Sequence, residues 1–149
     1  MTPTVETVAR TDAGLASELR LSVARLARRL HSERDPANPL SVGAMSVLGV
    51  LIRNGESTIG QLAAHERVQP PSMTRRVNAL VVSGHVVRRA SESDGRLVLI
   101  DISDKGRETL YADRRQRDAF LARQLKAMTS DERELLRRVA PLIERLATE

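Results

Sequence analysis

The sequence predicts a mainly α-helical protein with one small β-hairpin, in the order α-α-α-α-β-β-α-α. Across most of the 149 residues, apolar side chains recur every three or four positions, which is the period of an amphipathic helix. Only residues 85–102 change to short, β-branched runs of the kind that form strands. With 41% hydrophobic and 29% charged residues the chain can bury a core, and its length suits a single domain.

Two predicted helices occupy the N-terminal third of the chain. An apolar stripe over residues 15–30 predicts the first, and Pro36 and Pro39 prevent its continuation. Ser41 is a suitable N-cap for the second helix, and Asn54-Gly55 ends it because both residues tolerate a positive φ. The stripe of the first helix consists of Leu15, Leu19, Val23, Leu26 and Leu30.

Two further helices are predicted before the hairpin. Thr58 and Gln61 have the spacing of a capping box, in which each side chain accepts the backbone N–H of the other residue. Pro70 and Pro71 open the next helix, since the N–H groups that proline lacks have no partner in a first turn. Gly84 is placed to end that helix. Its predicted buried face consists of Met73, Val77, Leu80 and Val81.

The predicted hairpin has strands over residues 85–91 and 97–102, with Asp94-Gly95 as the turn signal. Together with the two preceding helices it gives the order of a helix-turn-helix with an appended wing, whose second helix can enter a DNA major groove. The charge distribution agrees with a DNA partner. Residues 61–90 contain five arginines and one glutamate, a net +4 within a chain total of +5.

Two long helices complete the predicted order. Ser103 or Asp104 caps the first, whose middle, residues 113–118, has almost no apolar stripe. A capping box over residues 129–132 begins the last helix, which we expect Pro141 to kink. The apolar positions of the last helix are Leu135, Leu136, Val139, Leu142, Ile143 and Leu146.

The geometry of the fourth helix selects candidate DNA-contact residues. Arg75 points away from the predicted buried face and is the candidate for a bidentate contact to guanine. Gln69, Ser72 and Thr74 can reach bases or phosphates, and Arg76 is expected to pair with the DNA backbone. An ordinary solvated helix face is the alternative. The complete set on this helix is Gln69, Pro71, Ser72, Thr74, Arg75, Arg76 and Asn78.

Several strings between residues 58 and 106 carry a family resemblance. They are Ser72-Met73-Thr74-Arg75-Arg76-Val77, Leu80 with Gly84 and Arg89, Asp94-Gly95-Arg96, and Ile102-Ser103-Asp104-Lys105-Gly106. With the helix order over about residues 12–147, they resemble the MarR (multiple-antibiotic-resistance regulator) family of winged helix-turn-helix transcription regulators. The resemblance implies that Arg96 at the wing tip enters a minor groove and that an ion pair with Asp94 holds it.

The resemblance also implies a homodimer with interleaved terminal helices, which would cover the apolar stripes at both ends of the chain. Residues 1–149 then form one MarR-like domain, with a DNA-binding lobe over 41–103 and a dimerisation lobe over 12–34 and 104–148. Two recognition helices about 34 Å apart would read a pseudopalindromic operator. Because family members commonly respond to small, often anionic phenolic ligands, we expect a repressor that such an effector releases from DNA.

Composition and motifs argue against several other classes of function. The absence of Cys excludes disulfides, Cys-ligated metals and thiol redox switches, and the three His residues do not cluster with acids at ligand spacing. One Tyr and one Phe do not supply the stacking platforms of single-strand binders. Without a phosphate loop or a catalytic-triad pattern, we expect no enzyme activity and no cofactor. The lack of an apolar leader or spanning segment favours a cytoplasmic protein.

Two alternatives to a sequence-specific regulator remain open at this point. A winged-helix protein-interaction module would not read DNA, and an architectural DNA-binding protein would bend many sequences without preference. The arginine excess by itself does not decide, since only Lys105 and Lys126 are lysines and GC-rich codon usage gives the same bias.

Overall fold

The computed structural model describes residues 11–148, and within that range it contains six helices and one antiparallel strand pair. The predicted order is confirmed; the part of the predicted domain that falls on residues 1–10 and Glu149 lies outside the described residues. The elements are α1 (Asp12–Ser32), α2 (Val42–Asn54), α3 (Ile59–Glu66), α4 (Pro70–Val82), β1 (Val86–Ala90), β2 (Val98–Ile102), α5 (Asp104–Lys126) and α6 (Ser130–Thr148).

The described residues divide into two compact units. One unit is Asp35–Arg115, and the other consists of the described parts of Met1–Arg34 and Gln116–Glu149. The first unit is longer at both ends than the DNA-binding lobe predicted over 41–103. The roles of the two predicted lobes stay predictions.

The core of the Asp35–Arg115 unit is built around α2. Val47 and Leu48 in the middle of this helix are fully buried, because its apolar residues face α3, α4 and β2 on several sides. Burying one such side chain stabilises the fold by about 1.5–3 kcal/mol, so α2 holds α3, α4 and β2 together. The predicted inner face of α4 is confirmed for Met73, Val77 and Leu80, while Val81 is half-buried.

Helix starts follow the predicted caps. Ser41 caps α2, and the capping box of α3 is complete: Thr58 N–H donates to Gln61 Oε1 at 2.9 Å, and Gln61 N–H donates to Thr58 Oγ1 at 3.1 Å. Of the two candidate caps of α5, Ser103 and Asp104, the cap is Ser103, whose Oγ accepts the N–H of Gly106 at 3.1 Å. These local contacts orient α2, α3 and α5 independently of long-range packing.

The hairpin pairs β1 with β2 in a register that runs from Val86 opposite Ile102 to Ala90 opposite Val98. Each strand is slightly shorter than predicted. Ser57, just before α3, adds a bridge on the other side of β2: it exchanges two backbone hydrogen bonds with Ile100, at 2.8 and 3.0 Å. The wing is therefore tied to the start of the helix-turn-helix.

In the second unit, α1 and α6 keep their apolar stripes exposed. Leu15 and Leu26 on α1 and Leu142 on α6 are each 48% exposed, and Leu146 is 71% exposed. The predicted capping box at residues 129–132 is present, and α6 continues through Pro141, where the predicted kink stays a prediction. Within residues 11–148, these stripes are large apolar surfaces that no other part of the chain covers.

The polar middle of α5 differs from expectation at one residue. Asp113 is fully buried, although residues 113–118 have almost no apolar stripe. Its Oδ1 accepts the backbone N–H of Asp35 at 3.2 Å and the Nδ2–H of Asn38 at 3.1 Å. This carboxylate organises the turn before α2, and a periodicity of apolar residues cannot reveal such a polar anchor.

Candidate nucleic-acid interface

The outer face of α4 carries most of the predicted DNA-contact residues. Pro70 and Pro71 occupy its first turn, and Gln69 precedes them as an N-cap that makes no side-chain capping bond. Because three apolar residues anchor the inner face, the remaining side chains are held toward solvent. Gln69, Pro71, Arg75 and Asn78 are exposed, and Ser72, Thr74 and Arg76 are half-buried.

Two predicted readers on α4 are already bonded to each other. Arg75 Nη2 donates to Ser72 Oγ at 3.2 Å, which holds the guanidinium near the N-terminal end of the helix. Thr74 Oγ1 donates its hydrogen to Pro70 O at 3.0 Å, so this oxygen is available to a DNA partner mainly as a hydrogen-bond acceptor. Residues at this end of a recognition helix are the ones that reach base edges.

Arg76 differs from its neighbours on α4. Its side chain is only 27% exposed, it lies over Gly43 of α2, and its Nη1 is 3.9 Å from Glu66 Oε2. Glu66 in turn accepts a hydrogen bond from Ser46 Oγ at 2.8 Å. Arg76 thus links α4 to α2 and α3, and its predicted contact with the DNA backbone stays a prediction.

Asn78 has a partner that sequence reasoning missed. Arg88 of β1 donates from Nη2 to Asn78 Oδ1, which connects the recognition helix to the wing. A bidentate contact of Asn with adenine uses both the oxygen and the nitrogen of the amide. Since Arg88 uses one of the two lone pairs of this oxygen, a bidentate contact would need Oδ1 to accept a second hydrogen bond, while Nδ2–H can be offered directly. Arg88 could be noticed in the sequence only as one of the local positive charges.

The positive charge counted along residues 61–90 is partly neutralised in space. Arg89 of β1 forms an ion pair with Asp101 of β2 and lies 3.6 Å from Glu56 Oε2. Both acids lie outside the counted segment, and the strand register and the turn before α3 bring them to Arg89. Arg75 and Arg88 are therefore better placed than Arg89 to meet a phosphate.

At the wing tip, the contact between Asp94 and Arg96 differs from the one that the resemblance implies. Asp94 Oδ1 accepts the backbone N–H of Arg96 at 3.0 Å, and the ion pairs of the described residues include none between the two side chains. An Asp side chain in a turn readily bonds the N–H two residues on. Arg96 is exposed, and an ion pair with Asp94 at such a site would contribute only about 0–1 kcal/mol.

An apolar cavity lies beside α4 within the Asp35–Arg115 unit. Its volume is about 530 Å³, and the walls come from the segment before α2 and from the second half of α4. Its polar lining residues are Ser41, Arg75, Arg76 and Ser83. The apolar walls are Pro39, Leu40, Ala44, Ala79 and Leu80.

Residues 11–148 contain no group of three or more His, Asp or Glu side chains that could hold a metal ion. None of the helices in this range is both long enough and apolar enough to cross a bilayer.

Comparisons with known proteins agree with this architecture. A family model described as MarR family matches residues 39–97. An uncharacterized HTH-type transcriptional regulator of Mycobacterium leprae is 45% identical over 138 residues, covering 93% of this chain and 96% of the relative. The crystal structure of a Pseudomonas aeruginosa protein matches with a TM-score of 0.83 at 34% identity, covering 99% of both chains.

A DNA complex is among the similar folds. Streptococcus pneumoniae FabT in complex with DNA matches with a TM-score of 0.67 at 19% identity, covering 91% of this chain and 97% of that one. Together with the element order, these likenesses confirm the predicted winged helix-turn-helix fold.

Proposed function

Because the chain belongs to the MarR family of transcription regulators, we propose that it binds specific sites in double-stranded DNA as a homodimer and represses transcription. One observation carries the proposal: α4 presents Arg75 and Ser72 at its exposed N-terminal end, and the same unit presents the free guanidinium of Arg96 on a wing. A helix and a wing of this kind address two grooves of one duplex.

In the proposed complex, α4 lies in the major groove. Arg75 reads a guanine through two parallel hydrogen bonds, a contact worth about 1–3 kcal/mol of discrimination against other bases. Gln69 and Thr74 reach a neighbouring base or phosphate, and the exposed ring of Pro71 contacts an apolar base edge. Arg88 is an added candidate for a phosphate contact, oriented by Asn78.

The wing contacts the adjacent minor groove. Arg96 enters it, attracted by the negative potential of a narrow groove. Asp94 fixes the backbone of the tip, as its bond to the Arg96 N–H supports, and thereby orients that side chain. A minor-groove Arg distinguishes bases weakly, so Arg96 contributes affinity at many sequences while Arg75 contributes preference.

The exposed stripes on α1 and α6 support a homodimer. In a two-fold dimer, the same surface of each chain forms the interface. A second copy of this chain would therefore bury the apolar surface that Leu15, Leu26 and Leu142 present. Two recognition helices related by that axis would contact half-sites about one turn of DNA, roughly 34 Å, apart.

We further propose that a small organic anion releases the protein from DNA. The cavity beside α4 supports this assignment because its apolar walls suit a ring-sized body and Arg75 and Arg76 suit a carboxylate or phenolate. A ligand there would engage Arg75, the proposed base reader, and would favour the DNA-free population. Benzoate derivatives, titrated into the DNA complex, should lower its anisotropy in wild type and not in Ala79→Phe, whose side chain fills the cavity.

The test of DNA recognition is selection of bound duplexes from random-sequence DNA. We expect an enriched pseudopalindrome with half-sites one helical turn apart and binding that weakens steeply with salt. Bound DNA without any enriched sequence would instead support an architectural protein, and no binding at low salt would support a protein-interaction module.

A further inference from the structure

Where α4 ends, three consecutive backbone carbonyls accept hydrogen bonds from the start of α5. Ser83 O accepts from Lys105 Nζ at 2.7 Å, and Gly84 O accepts from Ser103 Oγ at 2.6 Å. His85 O accepts from the Ser103 N–H at 3.1 Å. We call these five residues the clasp; it joins the recognition helix, the first wing strand and α5.

The side chain of His85 is buried and contacts another residue of the clasp, Ser83. It is 1% exposed, and its Nδ1 lies 2.7 Å from Ser83 Oγ. Ser83 Oγ also contacts Leu80 O at 3.2 Å, and when its hydrogen points there, Nδ1 carries the hydrogen of a neutral imidazole. The ring is thus both a packed core group and a hydrogen-bonded one.

The surroundings disfavour a positive charge on this imidazole. Burial, and secondly the positive charge of Lys105, lower the pKa of His85 below its ordinary value of 6.5. Among the charged side chains of the neighbouring elements, Lys105 is the one that acts on it. The others are Arg88 and Arg89 on β1, bonded to Asn78 and Asp101, then Asp101 on β2 and Asp104 on α5.

The backbone of His85 is packed tightly against the start of α5. The first turn of α5 touches the His85 backbone so closely that a Cβ on Gly106 would collide with the His85 carbonyl and lie 2.8 Å from Ile102 Cγ1. Relief of the charge on a protonated imidazole would move the ring toward water, which breaks its contact with Ser83 Oγ, or move Lys105 away, which breaks the hydrogen bond from Lys105 Nζ to Ser83 O.

We propose that the clasp is an acid-sensitive joint: protonation of His85 opens it, frees α4 and β1 from the start of α5, and weakens DNA binding. The last step rests on the DNA-binding function proposed above. It follows because Arg75 and Arg96 act together only while α4 and the wing keep their relative positions.

The sign of the pH effect is determined by the direction of the pKa shift. The unfolded chain takes up this proton more readily than the folded one, so the stability that neutral His85 confers is complete above pH 6.5. It is lost as the pH falls from about 6.5 through the folded-state pKa. Each unit between the two pKa values corresponds to a tenfold change in the folding equilibrium constant.

The test compares the full-length protein with His85→Gln and, as a matched control, His65→Gln, whose imidazole is exposed. Urea unfolding and anisotropy with the selected duplex are measured at steps between pH 7.5 and 5.5. Over this interval we expect the folding equilibrium constant and the DNA association constant of wild type and of His65→Gln to fall several-fold more than those of His85→Gln. An equal loss in all three proteins overturns the proposal.

A second measurement keeps the test valid if His85→Gln does not fold. In wild-type protein, the imidazole of each His is titrated by NMR while hydrogen exchange of the Ser103 and Gly106 amides is followed. We expect His85 to titrate below 6.5 and these amides to lose protection with the same midpoint. Retained protection after His85 is protonated overturns the joint.

The readouts separate the two proposals. Urea midpoints, NMR titration and hydrogen exchange report on the clasp without DNA. Absence of DNA binding at pH 7.5 contradicts the proposed function, whereas an opening clasp with pH-independent DNA affinity contradicts the link between the clasp and DNA.

Discussion

Replacing Gly106 by alanine should destabilise the protein, although alanine is the better helix former. In a helix interior, Gly→Ala ordinarily stabilises by about 0.5–1 kcal/mol because it restricts the unfolded chain. At Gly106 the added methyl would collide with the His85 carbonyl and crowd Ile102 Cγ1 at 2.8 Å. The carbonyl is backbone held by the N–H of Ser103 at 3.1 Å, so it cannot turn away cheaply.

Overpacking of a close contact costs about 1–3 kcal/mol, which exceeds the helix gain, and we expect a net loss of about 1–2 kcal/mol for Gly106→Ala. Gly49→Ala is the matched control. It lies in the middle of α2, and nothing stands within 4 Å of the position where its Cβ would lie. We expect this variant to gain about 0.5–1 kcal/mol.

Urea unfolding followed by circular dichroism checks both values, at one fixed protein concentration because dimerisation would add to apparent stability. The contrast between the two glycines is the informative quantity. Equal shifts of the two midpoints, or a stabilised Gly106→Ala, would refute the claim that α5 and the His85 backbone touch.

Two further predictions concern buried polarity and assembly. Asp113→Ala removes the acceptor of the Asp35 N–H and leaves Asn38 Nδ2 with Met45 Sδ as its acceptor, and we expect it to cost about 2–4 kcal/mol in urea unfolding. The exposed control Asp118→Ala should change stability by about 0.5 kcal/mol or less. Similar losses in both variants would contradict the anchoring role. Leu142→Glu should convert the dimer to a monomer in sedimentation at micromolar concentration. Thr148→Glu, which lies away from the apolar stripe, should leave the dimer intact. A dimer in both variants would contradict the proposed interface.

Contacts between residues close in the chain could be predicted from the sequence. The caps at Ser41 and Thr58, the prolines that open α4 and the glycine that ends it all act over a few residues. Their chemistry therefore determines where helices begin and end. The inner face of α4 followed from its period for the same reason. The outward direction of Arg75 is a consequence of that face.

Contacts between distant segments could not be predicted in this way. The bonds from Arg88 to Asn78 and from Arg89 to Asp101 depend on strand register and on how the hairpin packs against α4. Asp113 and His85 are buried and hydrogen-bonded, and neither belongs to an apolar stripe. The period of apolar residues therefore could not predict their burial. The net charge counted along residues 61–90 therefore overestimated the positive charge that the wing leaves unpaired, because Asp101 and Glu56 neutralise Arg89.

The central claim is that α4 reads bases while the wing supplies affinity, and one measurement tests it most directly. Arg75→Ala, Arg96→Ala and the exposed control Arg53→Ala are titrated by anisotropy against the selected site and its single-base variants. We predict that Arg75→Ala loses about 1–3 kcal/mol of discrimination at one base pair per half-site, that Arg96→Ala weakens all duplexes alike, and that Arg53→Ala resembles wild type. Unchanged preference in Arg75→Ala, or identical effects of Arg75→Ala and Arg96→Ala, would contradict the account.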